Sequence, residues 1–168
     1  MSKATAEART TATRMDPAIY RVKLQDEALK PDYADCGHHF VREVAHWFGY
    51  EGFDDGGMRE YTPADFFIIM ERERNCVSDW MPLAYQQEAA SHACRGGLVV
   101  AALKPEGRAG KVRIVAPAPC REFSEAQGPV CAVVAGRESG YTVPISEVFT
   151  EAEWDRLGLY LFVRSSRG

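Results

Sequence analysis

A cysteine stands at the start of a strongly patterned stretch, with two histidines shortly after it. Cys36 follows Asp35, a good helix N-cap residue, and His38 and His39 lie within the next three positions. A helix N-terminus and a nearby imidazolium both lower the pKa of a thiol, and the thiolate is the nucleophile of cysteine hydrolases. Cys36 with His39, three residues later, is therefore a candidate local pair of thiol and base.

The remaining histidines offer two further interpretations. His92 lies near the end of a predicted helix and serves as a base only if that helix reaches the Cys36 cleft; otherwise it is an exposed helical residue. His39, Glu43 and His46 recur at helical spacing on the side opposite the apolar stripe and offer ligands to an ion such as zinc. A solvated polar stripe explains the same spacing, and we predict no metal ion and no other cofactor.

Three helices are expected in the first two thirds of the chain. Phe40, Val41, Val44 and Phe48 share one helical face, and Gly49 ends that pattern. The sequence Thr62-Pro63 signals the start of a second helix, and a Gly-free and Pro-free stretch predicts a third. These helices are predicted at residues 35–49, 66–73 and 83–94, with a turn at residues 80–82.

Strands follow the helices. Residues 98–103 and 111–115 are predicted as an antiparallel hairpin because a turn-rich segment separates two β-prone runs. Further strands are expected at residues 130–135 and 159–163, and Thr150 with Glu153 forms a capping box for a short helix. This order predicts an α+β fold in which N-terminal helices pack on an antiparallel sheet.

Composition narrows the class of protein. The chain has 168 residues, 46% of them hydrophobic, which suits one domain over residues 16–168 after a disordered tail over residues 1–15. A net charge of −4 argues against nucleic acid as a partner. No apolar run is long enough to suggest membrane insertion or an ordinary secretory signal. Most of the five cysteines lie in or beside apolar segments, which favours buried thiols.

Several motifs occur in the order found in one family of hydrolases. They are Asp35–Val41, Glu88–Ala90 continuing to Gly97–Leu103, Gly110–Val112, and Val148–Phe149 continuing to Asp155–Leu157. From Tyr33 to Ser165 the chain resembles the NlpC-type, papain-like cysteine amidases, and within them the peptidoglycan amidases that type VI secretion delivers between bacteria. The resemblance implies a thiolate at a helix N-terminus and a histidine that follows a glycine on the neighbouring strand.

Both catalytic positions of the family are altered here. The family cysteine lies three residues before the Phe of the Phe-Val pair, where this chain has Gly37, and Cys36 is displaced by one residue. The residue after Gly110, where the family has its histidine, is Lys111. A lysine with an ordinary pKa near 10.4 is a poor proton shuttle unless it is strongly desolvated.

Two functions follow from the resemblance. We favour a protein that has lost the Cys-His pair and binds a wall peptide, a protein partner or another ligand, as a pseudoenzyme related to secreted bacterial toxins. Gly37, Gly110, Tyr33 and Trp80 are then the candidate binding residues. The alternative is an active amidase that cleaves peptidoglycan peptides with Cys36 as a displaced nucleophile and a substitute base, His92 or His38. The family further implies an immunity protein as partner, and a protein that is cytoplasmic in its producer and exported to the periplasm of another cell without a signal peptide.

Overall fold

The fold is described from a computed structural model. It describes residues 10–33, 37–57, 59–72, 79–104, 114–117, 131–133 and 142–165. The helices are α1 (Pro17–Ala28), α2 (Gly37–Trp47), α3 (Pro63–Arg72) and α4 (Gln86–Cys94). The strands are β1 (Thr10–Ala12), β2 (Trp80–Leu83), β3 (Val99–Leu103), β4 (Ile114–Pro117), β5 (Cys131–Val133), β6 (Thr142–Pro144) and β7 (Leu157–Ser165). Short 3-10 helices cover Pro31–Tyr33, Ile145–Glu147 and Glu151–Arg156.

The strands form one antiparallel sheet built around β7. Its order is β1-β7-β3-β4-β5-β6, and β2 also pairs with β7. Along β7, Leu157 to Leu161 face β3 on one side, while β2 and β1 share the other side. The expected mixture of helices and antiparallel strands is confirmed.

Alternation along the strands divides the core between the two faces of the sheet. On β3, Val100 and Ala102 point to one face, and Val99 and Ala101 point to the other. The first face packs against α1, α2 and α3, and we call it the α2 face. The second packs against α4 and the segment after β6, and we call it the α4 face. Helices α2 and α4 therefore lie on opposite sides of the sheet.

The helix predicted at residues 35–49 is present as α2, because its apolar stripe has a core to enter. Phe40, Val41 and Val44 are fully or almost fully buried on the α2 face. The helix ends as expected, since Gly49 has a positive φ of 81° that residues with a Cβ disfavour. The predicted helix at residues 66–73 is also present as α3, and Thr62 and Asp65 hydrogen-bond each other at its start.

The antiparallel pairing predicted for the β hairpin is also confirmed, with Ala101 opposite Val115 and Ala102 opposite Ile114. Residues 111–113 of the predicted second strand lie outside the described residues. The strand expected near residue 130 is β5, and the last strand is β7, which is longer than predicted. Thr150 and Glu153 form the predicted capping box, although the helix that follows is a 3-10 helix.

Two predictions about the chain path were wrong. The predicted disordered tail is structured from residue 10, since Thr10–Ala12 pairs with β7 and Arg14 forms a bridge with Gly97. Residues 1–9 lie outside the described part of the chain. Residues 80–82, predicted as a turn, belong to strand β2, and the third helix starts only at Gln86. Pro82 suggested a turn, but proline is compatible with an edge strand, and β2 pairs only with β7 among the described strands.

Candidate functional site

The first turn of α2 carries two adjacent imidazoles. The rings of His38 and His39 lie 4.4 Å apart between centroids, and the edge of the His38 ring meets Phe66 of α3 at 5.8 Å. The two side chains are only 13% and 24% exposed. Both side chains are therefore partly shielded from water, and His38 contacts α3.

A carboxylate from the loop before α3 completes a group that we call the His–Glu cluster: His38, His39 and Glu60. Glu60 Oε1 contacts His39 Nε2 directly and lies 4.0 Å from His38 Nε2. Glu60 was not anticipated from the sequence, because nothing in its surroundings distinguishes it from other loop carboxylates. Only the return of this loop to the start of α2 brings it to the two histidines.

The segment that carries Glu60 is held on both sides by one residue of α3. Arg59 Nη2 donates a hydrogen bond to Asp65 Oδ1 at 3.0 Å, and the backbone N–H of Thr62 donates to Asp65 Oδ2 at 2.8 Å. Asp65 thus fixes the residues before and after Glu60. The carboxylate is presented to the histidines from a constrained segment, although its own side chain is 62% exposed.

The environment of His38 favours its neutral form. Burial, followed by the charges of His39 and Arg42, lowers the pKa of His38, while Glu60 acts in the opposite direction. Burial wins because charging an imidazole costs free energy when water is excluded. A neutral imidazole can accept a proton or bind a metal ion through its free ring nitrogen.

The two aromatic residues predicted to bind ligand have other contacts. Trp80 is 1% exposed and stacks on Phe53 within the core, so it offers no surface to a ligand, contrary to the prediction. The hydroxyl of Tyr33 donates to Glu27 Oε1 at 2.5 Å, and its ring packs against Phe40 at 5.7 Å. Burial and then this hydrogen bond raise the pKa of Tyr33. Tyr33 therefore connects α1 to α2 beside the site.

The structure does not bring His92 to this site. His92 belongs to α4, which packs on the α4 face, whereas His38 lies at the start of α2 on the other side of the sheet. Its charged neighbours are Arg95, Arg14 and Glu88. His92 therefore lies on the wrong side of the sheet to serve as a base for a nucleophile at the start of α2.

The alternative metal set on α2 is also separated. His46 Nε2 lies 3.0 and 2.9 Å from the two carboxylate oxygens of Asp54, and its Nδ1 lies 3.6 Å from Glu43. His39 instead meets Glu60 near the opposite end of the helix. Glu43 and His46 therefore approach each other, but His39 does not join them, and the three residues do not form one metal site.

Other predicted residues fall outside the described part of the chain. Cys36, Gly110 and Lys111 lie in segments whose structure is not described, whereas Gly37 is the first residue of α2 and is partly exposed. Among the described cysteines, Cys94 is exposed rather than buried as expected.

The chain matches no protein-family model and no curated protein. No helix in the described ranges is both long and apolar enough to cross a bilayer.

Proposed function

We propose that this protein is an NlpC-type relative that binds a cell-wall peptide without cleaving it. The proposed binding site is the start of α2 around Gly37, His38 and Arg42. The proposal combines the motif resemblance with the arrangement of the described helices and strands.

The layout of the first half of the domain supports the family assignment. In the family, the helix that bears the cysteine packs on the strand that bears the histidine. Here Cys36 precedes α2 directly in the sequence, and α2 lies against β4, the second strand of the hairpin. Lys111 occurs three residues before β4 begins at Ile114.

The observation that carries the loss of catalysis is the position of the histidines. The chain has four, and all of them lie on helices: three on α2 and His92 on α4. No histidine is therefore available on a strand of the sheet to face a thiol at the start of α2. The proton transfers of amide cleavage need a base within hydrogen-bond reach of the nucleophile and able to reach the leaving group. His38 and His39 follow Cys36 by only two and three residues in the sequence, so they do not supply a base from a second wall of a cleft.

The start of α2 has the chemistry to bind peptide carboxylates. Its first backbone N–H groups have no partner within the helix and favour anions. Arg42 lies four residues after His38 and is close enough to affect the pKa of that imidazole. A guanidinium can hold a carboxylate through two parallel hydrogen bonds. Wall peptides carry several carboxylates, which is why we favour this class of ligand.

The test is to titrate purified protein with soluble muropeptides and to follow both binding and cleavage. Calorimetry should detect binding, and mass spectrometry should find the peptide intact. Arg42→Ala should weaken binding about tenfold, the loss expected for one charged hydrogen-bonded contact. His92→Asn is the matched control, since it changes a histidine on the α4 face, and it should bind like wild type.

One observation favours an active cysteine amidase as the second candidate. His39 is paired with the carboxylate of Glu60, and Cys36 is only three residues before it in the sequence. A base oriented by a carboxylate is the usual support for a cysteine nucleophile. Cleavage of muropeptides that Cys36→Ala abolishes would overturn the binding proposal and establish this alternative.

A further inference from the structure

We propose that His38, His39 and Glu60 form a binding site for a divalent transition ion of the zinc type. The proposal goes beyond peptide binding and does not rest on it. Metal binding is measured with no peptide present, so either proposal can fail while the other stands.

The three side chains already converge. One possible ligand atom from each lies within 4.8 Å of the other two. Zinc bound at about 2.0–2.1 Å by nitrogen and oxygen in tetrahedral geometry places its ligand atoms roughly 3.3 Å apart. His38 Nε2 and Glu60 Oε1, now 4.0 Å apart, need only a small inward shift. Glu60 and His39 need to separate by a similar amount to admit the ion between them.

Within the His–Glu cluster, His38 is held in place and the Glu60 side chain is free to move, which allows the shift that an ion requires. His38 is held by the edge contact with Phe66, so one ligand stays in place. The Glu60 side chain is largely exposed and can rotate, while its backbone segment is held at Arg59 and Thr62 by Asp65. The fixed backbone lowers the entropic cost of ion binding, and the mobile carboxylate can make the shift that an ion requires.

The ligand set points to the class of ion. Two imidazoles and one carboxylate suit zinc and neighbouring transition ions, whereas calcium and magnesium prefer oxygen ligands. Three protein ligands leave at least one coordination position open to water or to a ligand oxygen. Arg42 is a nearby positive charge that opposes an ion here, and Glu60 acts in the opposite direction.

The experiment is a titration of the full chain with Co²⁺, followed by its visible d–d absorption, and with Zn²⁺, followed by calorimetry. We expect one ion per chain and a cobalt spectrum of four- or five-coordinate type. Glu60→Gln should weaken binding at least tenfold, and His39→Ala should weaken it a hundredfold or more. Glu60 is on the surface, so Glu60→Gln should fold normally, which circular dichroism verifies.

His46→Ala is the matched control, because His46 is a carboxylate-paired histidine of the same helix that lies outside the cluster. It should leave the affinity within twofold of wild type. Unchanged binding in both Glu60→Gln and His39→Ala would overturn the proposal, as would the absence of any cobalt spectrum. Binding that Cys36→Ser abolishes while His39→Ala leaves it intact would assign the ion to thiols and overturn it as well.

Discussion

Gly96, just after α4, is where the N-terminal segment meets the rest of the domain. Its φ is +85°, and a Cβ at this position would overlap the carbonyl oxygen of Met15. The backbone N–H of Met15 donates to the Gly96 carbonyl at 2.9 Å. Gly49 provides a matched comparison, since it also follows a helix with positive φ, at +81°, but has open space where a Cβ would lie. Replacing each glycine by alanine therefore separates backbone strain from steric overlap.

The two substitutions should differ in cost. Gly49→Ala places a Cβ on a left-handed backbone and should lower the free energy of unfolding by about 1 kcal/mol. Gly96→Ala causes the same backbone strain, and the new Cβ also forces the Met15 backbone to shift. That movement breaks the Met15 hydrogen bond and disturbs the adjacent Arg14–Gly97 bridge. A buried backbone hydrogen bond contributes about 1 kcal/mol and leaving its partners unpaired costs more, so Gly96→Ala should lose about 3 kcal/mol.

Urea unfolding gives both free energies, and trypsin gives a local readout because Arg14 is exposed. In Gly96→Ala, cleavage after Arg14 should become at least several-fold faster than in wild type, whereas Gly49→Ala should leave it unchanged. Equal losses of stability in the two variants, with equal trypsin rates, would refute the close approach of Met15 to Gly96.

Three further substitutions test contacts in the core and the pH dependence of folding. Tyr160→Phe removes the hydrogen bond of 2.5 Å to Glu71 and should cost about 2 kcal/mol in urea unfolding; no loss would show that this bond is not formed. Tyr20→Phe should raise stability by up to about 1 kcal/mol, because its fully buried hydroxyl has no hydrogen-bond partner among the described residues; a clear loss would reveal one. Burial, then the charges of Arg95 and Arg14, lowers the pKa of His92 below 6.5, so its contribution is complete above pH 6.5 and is lost as pH falls through the lowered pKa. His92→Asn should therefore reduce the loss of thermal stability between pH 7 and pH 5, and an unchanged loss would contradict the assigned burial.

Much of the helical framework could be predicted where one apolar face was clear. The stripe through Phe40 and Val44 predicted α2, and Thr62-Pro63 predicted the start of α3. Helix α1 was missed although Asp16-Pro17 follows the same capping rule, and the Asp16 side chain indeed accepts from two backbone N–H groups. Its periodicity is obscured because exposed apolar side chains such as Ile19 alternate with the buried ones.

Strand β2 and the site depended on contacts that sequence does not encode locally. Pro82 favours a turn by local rules, and only pairing with β7 makes its segment a strand. His38 was predicted as part of the site from its position at a helix start. Its carboxylate partner Glu60 comes from a separate loop. Which of the loop carboxylates reaches His38 depends on how that loop folds back, and the local sequence does not reveal this. Trp80 could not be placed by type alone, since aromatic residues suit a groove and a core equally well.

The outer edge of β7 is covered by two segments that are distant in sequence. Thr10–Ala12 pairs with residues 163–165, and Trp80–Leu83 pairs with residues 159–162, so the two short strands lie end to end. Unpaired strand edges recruit other strands and promote self-association. Proteolytic removal of the first fifteen residues would uncover residues 163–165 of β7, while β2 would continue to cover residues 159–162. Pairing of the N-terminal segment with β7 therefore also blocks intermolecular strand addition at residues 163–165.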